Sequence, residues 1–116
     1  MQIKNFICQN PQFDHAFIRC KLSKYDILNN IPWQAFDIHS MASLKFLQVR
    51  GSLLIKDNVS DMSLSNIIRF CGMEDKRVNH NALEDTKLTA ECFARIVYGK
   101  KLLREFDEYE IPEYLK

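Results

Sequence analysis

Two short apolar runs, each giving way at once to a helical pattern, constrain this chain more than any other feature. Ile3, Phe6, Ile7 and Cys8 form a run that stops at Asn10-Pro11. That is the pattern of a buried strand ending at a helix N-cap, with proline at the first helical position. The helix predicted from it covers 11–25. A loop through Asn29, Asn30 and Pro32 breaks the pattern, and Ala35-Phe36-Asp37-Ile38 reads as a second short strand. Met41, Leu44, Phe46 and Leu47 then predict a helix ending near Gly51. A strand–helix–strand connection within one sheet is a crossover unit, so the predicted class is α/β with parallel pairing. Two strands do not make a stable sheet, so further strands are expected, in this chain or in a larger sheet to which it belongs.

Beyond Gly51 the stretch 57–60 is polar and reads as a loop. Leu64, Ile67, Ile68 and Cys71 follow at i, i+3, i+4 and i+7, with Ser63 placed to cap the helix and Gly72 to end it. After a charged loop over 74–79, Asn81-x-x-Glu84 resembles a capping box and opens a periodic segment predicted to run to about residue 106. Residues 1–106 are therefore read as the body of the domain. The acidic and aromatic tail 107–116 contains Pro112 and is expected to pack loosely or reach a neighbour.

With 116 residues, 47% of them hydrophobic and 27% charged, the chain has the composition of one globular domain. Its formal net charge of +1 gives no global field for nucleic acid or an anionic membrane, so such binding would need a local site. Lys24, Lys45, Arg50, Lys56, Lys76, Arg77, Lys100 and Lys101 are scattered and read mainly as solvated surface. Cys8, Cys20, Cys71 and Cys92 form no C-x-x-C pair, and no apolar run has the length of a membrane span. The expectation is reduced, core-packed thiols in a cytoplasmic protein without a membrane segment.

At 100° per residue, Asp85 falls within about 60° of Leu88, Cys92, Ile96 and Leu103, and Asp14 within about 80° of Phe17, Ile18, Leu22 and Tyr25. Both acids are thus expected to point with buried stripes near helix starts. A carboxylate there needs a cation, a hydrogen-bond donor or the positive helix end. One reading is that each caps its own helix. The other is that both converge at the C-terminal edge of the sheet, where open α/β sheets keep their sites, and hold a divalent cation. Oxygen ligands imply magnesium or manganese rather than zinc. His80, just before the N-cap, is placed to act as a general base near neutral pH. His15 and His39 read as surface residues.

These residues resemble a known family. The run Cys8-Gln9-Asn10-Pro11-Gln12-Phe13-Asp14 is similar to the second motif of the DEDDh 3′-5′ exonucleases, of ribonuclease T and DNA polymerase III epsilon-subunit type. His80-Asn81-Ala82-Leu83-Glu84-Asp85 is similar to their third motif, H-x-A-x-x-D. The resemblance implies a ribonuclease H-like exonuclease fold with an incomplete sheet. It implies Mg2+ or Mn2+ in a two-metal site, Asp14 and Asp85 as metal ligands, His80 as the catalytic base and Asn10 as a residue that helps position substrate. Nucleoside monophosphates would be released from DNA or RNA 3′ ends. Gln9 stands where many members have His.

No Asp in the chain has Glu two positions later, so the family's first motif, D-x-E, is absent along with half the expected acids. The resemblance therefore covers a C-terminal portion of the exonuclease domain, weak or inactive by itself. The partners it implies are a nucleic-acid 3′ end and, across the sheet edge, a second copy or the missing N-terminal half. The alternative function is a non-catalytic remnant that binds nucleic-acid ends or a protein.

Overall fold

The computed structural model describes residues 5–28, 30–79 and 81–116. His80 lies outside the described residues. The fold is helix-rich α/β. Strand β1 (Phe6–Cys8) leads into α1 (Pro11–Lys24), and β2 (Ala35–Asp37) leads into α2 (Ile38–Arg50). The two strands pair in parallel with Phe6 opposite Ala35, Ile7 opposite Phe36 and Cys8 opposite Asp37, as the crossover argument requires. Alternation sends Phe6 to one face of the pair and Ile7 with Phe36 to the other. Phe6 stacks on His15 of α1, with ring centroids 5.9 Å apart. Phe36 meets Phe93 edge-on at 5.9 Å. The pair is thus sandwiched between α1 and the helix that carries Phe93.

The polar stretch read as a loop is a hairpin, β3 (Ile55–Lys56) with β4 (Val59–Ser60). Asp57 and Asn58 both adopt positive φ, 51° and 61°, the geometry a two-residue turn needs to match strand twist. His39 ties the hairpin to α2 through a hydrogen bond to Ser60 Oγ at 3.1 Å.

Helix α3 (Leu64–Phe70) begins at Ser63, whose hydroxyl accepts from the Asn66 N–H at 3.3 Å. Helix α4 (Ala82–Tyr98) begins at Asn81, whose side chain accepts from the N–H groups of Leu83 and Glu84. It ends well short of residue 106. Gly99 takes a left-handed φ of 59° and turns the chain, so Leu103 lies beyond the helix. The core gathers α2, α3 and α4 around Ile38, Met62, Ile68, Cys71, Cys92 and Ile96.

Residues 107–116, expected to pack loosely or reach a neighbour, instead place Leu115 in that core and pack Tyr109, Ile111 and Tyr114 against it. Leu115 is 3% exposed, Tyr114 donates its hydroxyl to Phe70 O at 2.8 Å, and the Tyr114 ring stacks on Phe70. The tail runs across the ends of two helices. A Cβ on Gly99 would lie 2.7 Å from Leu115 O, and one on Gly72 2.8 Å from the Pro112 ring. Both glycines also need their positive φ, so each position is closed to other residues twice over.

What holds the tail is a buried ion pair. Glu91 and Arg95, one turn apart on α4, have fully buried side chains, with Arg95 Nε 2.8 Å from Glu91 Oε1. The other guanidinium N–H groups donate to the carbonyls of Cys71, Glu110, Phe106 and Tyr109. Glu91 Oε2 accepts from the N–H groups of Leu102 and Leu103 at 3.0 and 2.8 Å. Every donor of the guanidinium has an acceptor, which is what makes burial of the pair tolerable. Among the described residues no helix is long and apolar enough to cross a membrane.

Candidate active site

Asp14 sits in the first turn of α1, at the C-terminal edge of the parallel pair, and is half-buried. Its surroundings are not the apolar stripe expected from α1. Phe13 and Phe17 are largely exposed, Tyr25 and Cys20 are exposed, and the buried residue of the helix is His15. The reason lies across the loop: the His15 ring is stacked between Phe6 and Trp33, the latter at 4.1 Å. A carbonyl can only accept, so His15 Nε2–H donates to Pro32 O at 3.1 Å. Nδ1 then has no partner among the described residues.

Asp14 shares a cavity with Phe6, Cys8, Ile18, Ile31 and Pro32. Burial first, then the charge of Asp14 and a hydrogen bond to it, push the Cys8 thiol up to about 11, so it stays protonated at neutral pH. Asn10 adopts a left-handed φ of 56° and its side chain does not cap α1, contrary to expectation. Its N–H instead donates to Asp37 Oδ1 at 3.0 Å.

Asp37 is a residue that the motif reading passed over. It caps α2 by accepting from His39 N at 3.1 Å and takes the Ser40 hydroxyl at 2.5 Å. Partial burial opposes ionisation, but the hydrogen bonds from Ser40, Asn10 and His39 win and hold its carboxyl below the usual value. Cys8, Asn10, Asp14 and Asp37 therefore crowd one end of the sheet. The signal was available in Asp37-x-x-Ser40, an acid at a strand end with a hydroxyl three residues on.

Asp85 lies in the first turn of α4 in different company. Arg77, read from sequence as solvated surface, has a side chain only 9% exposed and donates from Nη1 to Asp85 Oδ1 at 2.8 Å. The same guanidinium grips Asp75 through Nε and Nη2, each at 2.8 Å, and reaches Ser65 Oγ at 2.9 Å. These bonds, chiefly those from Arg77, overcome burial and hold the Asp75 carboxyl far below its ordinary value.

A group whose folded pKa is depressed contributes stability above its unfolded pKa, about 4 for Asp, and loses it as pH falls toward the folded value. The urea midpoint should therefore drop as pH is lowered from about 5 to about 2. In Asp75→Asn the same titration should be flatter; equal slopes in the two proteins would remove Asp75 from the account.

Among the described residues, none lines both the cavity beside Asp14 and the cavity beside Arg77. Among the described residues, no group of three or more His, Cys, Asp or Glu side chains could hold a metal ion. Oδ1 of Asp85 is already bound to a guanidinium. The described residues by themselves do not fit the two-metal centre that the resemblance implies.

Compared with known proteins, the chain matches no family model and no solved structure. It is 33% identical over 103 residues to Ribonuclease T of Vibrio cholerae serotype O1, a match covering 84% of this chain and 39% of that protein. A span of that share includes residues 80–85 wherever it starts. Over most of its own length, then, the chain is similar to Ribonuclease T and spans about two fifths of that protein.

Proposed function

We propose that this chain supplies part of a divalent-metal-dependent 3′-5′ exonuclease of DEDDh type, with a ribonuclease H-like fold, that releases nucleoside monophosphates from DNA or RNA 3′ ends. Asp14 and Asp85 are two of its acids, His80 is its general base, and Asn10 helps position the substrate. The carrying observation is the 33% identity to Ribonuclease T across 84% of the chain. The first-turn positions of Asp14 and Asp85, on helices packed against the parallel pair or close to it, agree with this reading.

Magnesium or manganese would supply charge stabilisation to the attacking and leaving oxygens. Such a centre needs acids beyond those present here. In this proposal they come from outside these residues, from the rest of a longer chain or from a second polypeptide, whose strands extend the two-stranded sheet, each strand of which has a single neighbour among the described residues. One observation favours the second reading, a non-catalytic module that binds nucleic-acid ends or protein: Asp85 is engaged by Arg77.

Manganese-dependent digestion of a 3′-labelled single strand distinguishes the two. The expected result is no release by the chain alone. Adding a polypeptide that carries the part of Ribonuclease T outside the matched region should give release, and His80→Ala should abolish it. No release in the mixture, although the two polypeptides co-elute, would leave the non-catalytic reading standing.

A further inference from the structure

Helix α1 carries aromatic residues on its outside. His15, buried between Phe6 and Trp33, marks the side that faces the parallel pair. At 100° per residue, Phe17 stands about 160° around the helix from His15, and Phe13, Cys20, Lys21 and Lys24 all fall within about 60° of Phe17. Phe13 is 74% and Phe17 58% exposed, and Cys20, Lys21 and Lys24 are exposed with them. The outer face of α1 is therefore one continuous stripe, aromatic in its first half and cationic in its second. It starts beside Asp14, at the sheet end where Cys8, Asn10 and Asp37 also lie, and runs about 16 Å away from it to Lys24.

The cations of this stripe stand apart from acids. Between Asp14 and Asp26 the chain has Arg19, Lys21 and Lys24 and no acid. Among the described residues neither Lys21 nor Lys24 forms an ion pair. Each leans on an exposed ring instead: Lys21 Nζ lies 5.4 Å from the centre of the Phe17 ring, and Lys24 Nζ 5.7 Å from that of Tyr25. Such contacts are weak at exposed sites, so a ligand can take both the rings and the ammonium groups. Strands that extend the two-stranded sheet join it edgewise, whereas this stripe faces away from the sheet.

An apolar partner would leave the ammonium groups without anions, and an acidic peptide would leave the rings in water. A single-stranded nucleic acid meets both, with phosphates for the lysines and base faces for the rings, the combination by which sequence-tolerant single-strand sites work. We propose that the outer face of α1 seats a single strand, with Phe17 against a base, Lys21 and Lys24 on phosphates, and the 3′ end directed toward Asp14. The direction rests on the reading of Asp14 as a nuclease acid. The seat itself needs neither a metal nor the acids that this chain lacks. With a net charge of only +1 there is no global attraction for a polyanion, so the contact depends on these few side chains.

The test is binding of a 5′-labelled single strand of about twelve nucleotides to the full chain, read by fluorescence anisotropy in EDTA over a salt series, so that hydrolysis does not enter. Each phosphate contact on a single strand contributes about −0.7 to the slope of log affinity against log salt, so the double variant Lys21→Ala with Lys24→Ala should make the slope shallower by about 1.4. Phe17→Ala should weaken binding about fivefold or more and leave the slope as it is. All three side chains are exposed, and circular dichroism verifies folding; the lysine pair and Phe17 test the seat independently. No binding by the parent chain, an unaltered slope in the lysine variant, or parent affinity in Phe17→Ala overturns the proposal. So does polyglutamate that displaces the label as well as unlabelled strand of equal charge, which would mark the face as a site for acidic protein. None of these results touches the nuclease reading, which the digestion of the mixture decides, and failure of that digestion leaves the seat to be judged by binding alone.

Discussion

Replacing Arg95 with methionine is expected to destabilise the domain by about 3 to 5 kcal/mol, the loss typical when one partner of a buried pair is removed. Glu91 would remain in the interior, and the carbonyls of Cys71, Phe106, Tyr109 and Glu110 would lose their shared donor. Domains of this kind are stable by about 5 to 15 kcal/mol, so the variant loses a large part of its margin. Urea unfolding monitored by circular dichroism measures the loss directly. The double variant Glu91→Leu with Arg95→Met should recover part of it, because both charges leave together. A single-variant loss under about 1 kcal/mol, the scale of an exposed pair, would show that the clamp is incidental.

Removing residues 111–116 should have a comparable effect by a different route. Leu115 is 3% exposed, and burying such a side chain contributes about 1.5 to 3 kcal/mol. Tyr114 adds its ring against Phe70 and its hydroxyl bond to Phe70 O, worth about 0.5 to 1.5 kcal/mol. The truncated protein should unfold at lower urea, and amides at the ends of α3 and α4 should exchange faster than those of α2. An unchanged midpoint would mean that 111–116 only decorates a core complete without it.

The parts of the fold legible in the sequence were those written in local chemistry. Asn10-Pro11, Ser63 and Asn81 marked helix starts because capping and proline stereochemistry act within a turn. Parallel pairing followed from chain order alone. The apolar rhythm overextends α4 because Leu102 and Leu103 prolong it past Gly99, where a left-handed residue ends the helix. The burial of His15 is not legible locally for the opposite reason: its partners Phe6 and Trp33 lie on other elements.

The site divided along the same line. Asp14 and Asp85 stood out through motif spacing, and Asp37 was recoverable from its own helix cap. Arg77 and Arg95 were not, because a buried cation is recognised by what surrounds it. Arg95 is surrounded largely by backbone carbonyls, which any residue can supply and which leave no mark on sequence. Arg77 depends on Ser65 and Asp85, brought together only when α3 and α4 pack.

The seating of the tail also sets a clock on biosynthesis. Because Leu115 closes the core and the carbonyls at 106, 109 and 110 accept hydrogen bonds from the buried Arg95, a nascent chain halted before those residues leave the ribosomal exit tunnel holds uncompensated guanidinium donors and an open apolar floor. Local turns of α1, α2 and α3 can form as they emerge, but cooperative closure waits for residues 106–115. The domain therefore completes its fold only once residues 106–115 are free to pack, and until then its partly folded forms leave the core exposed.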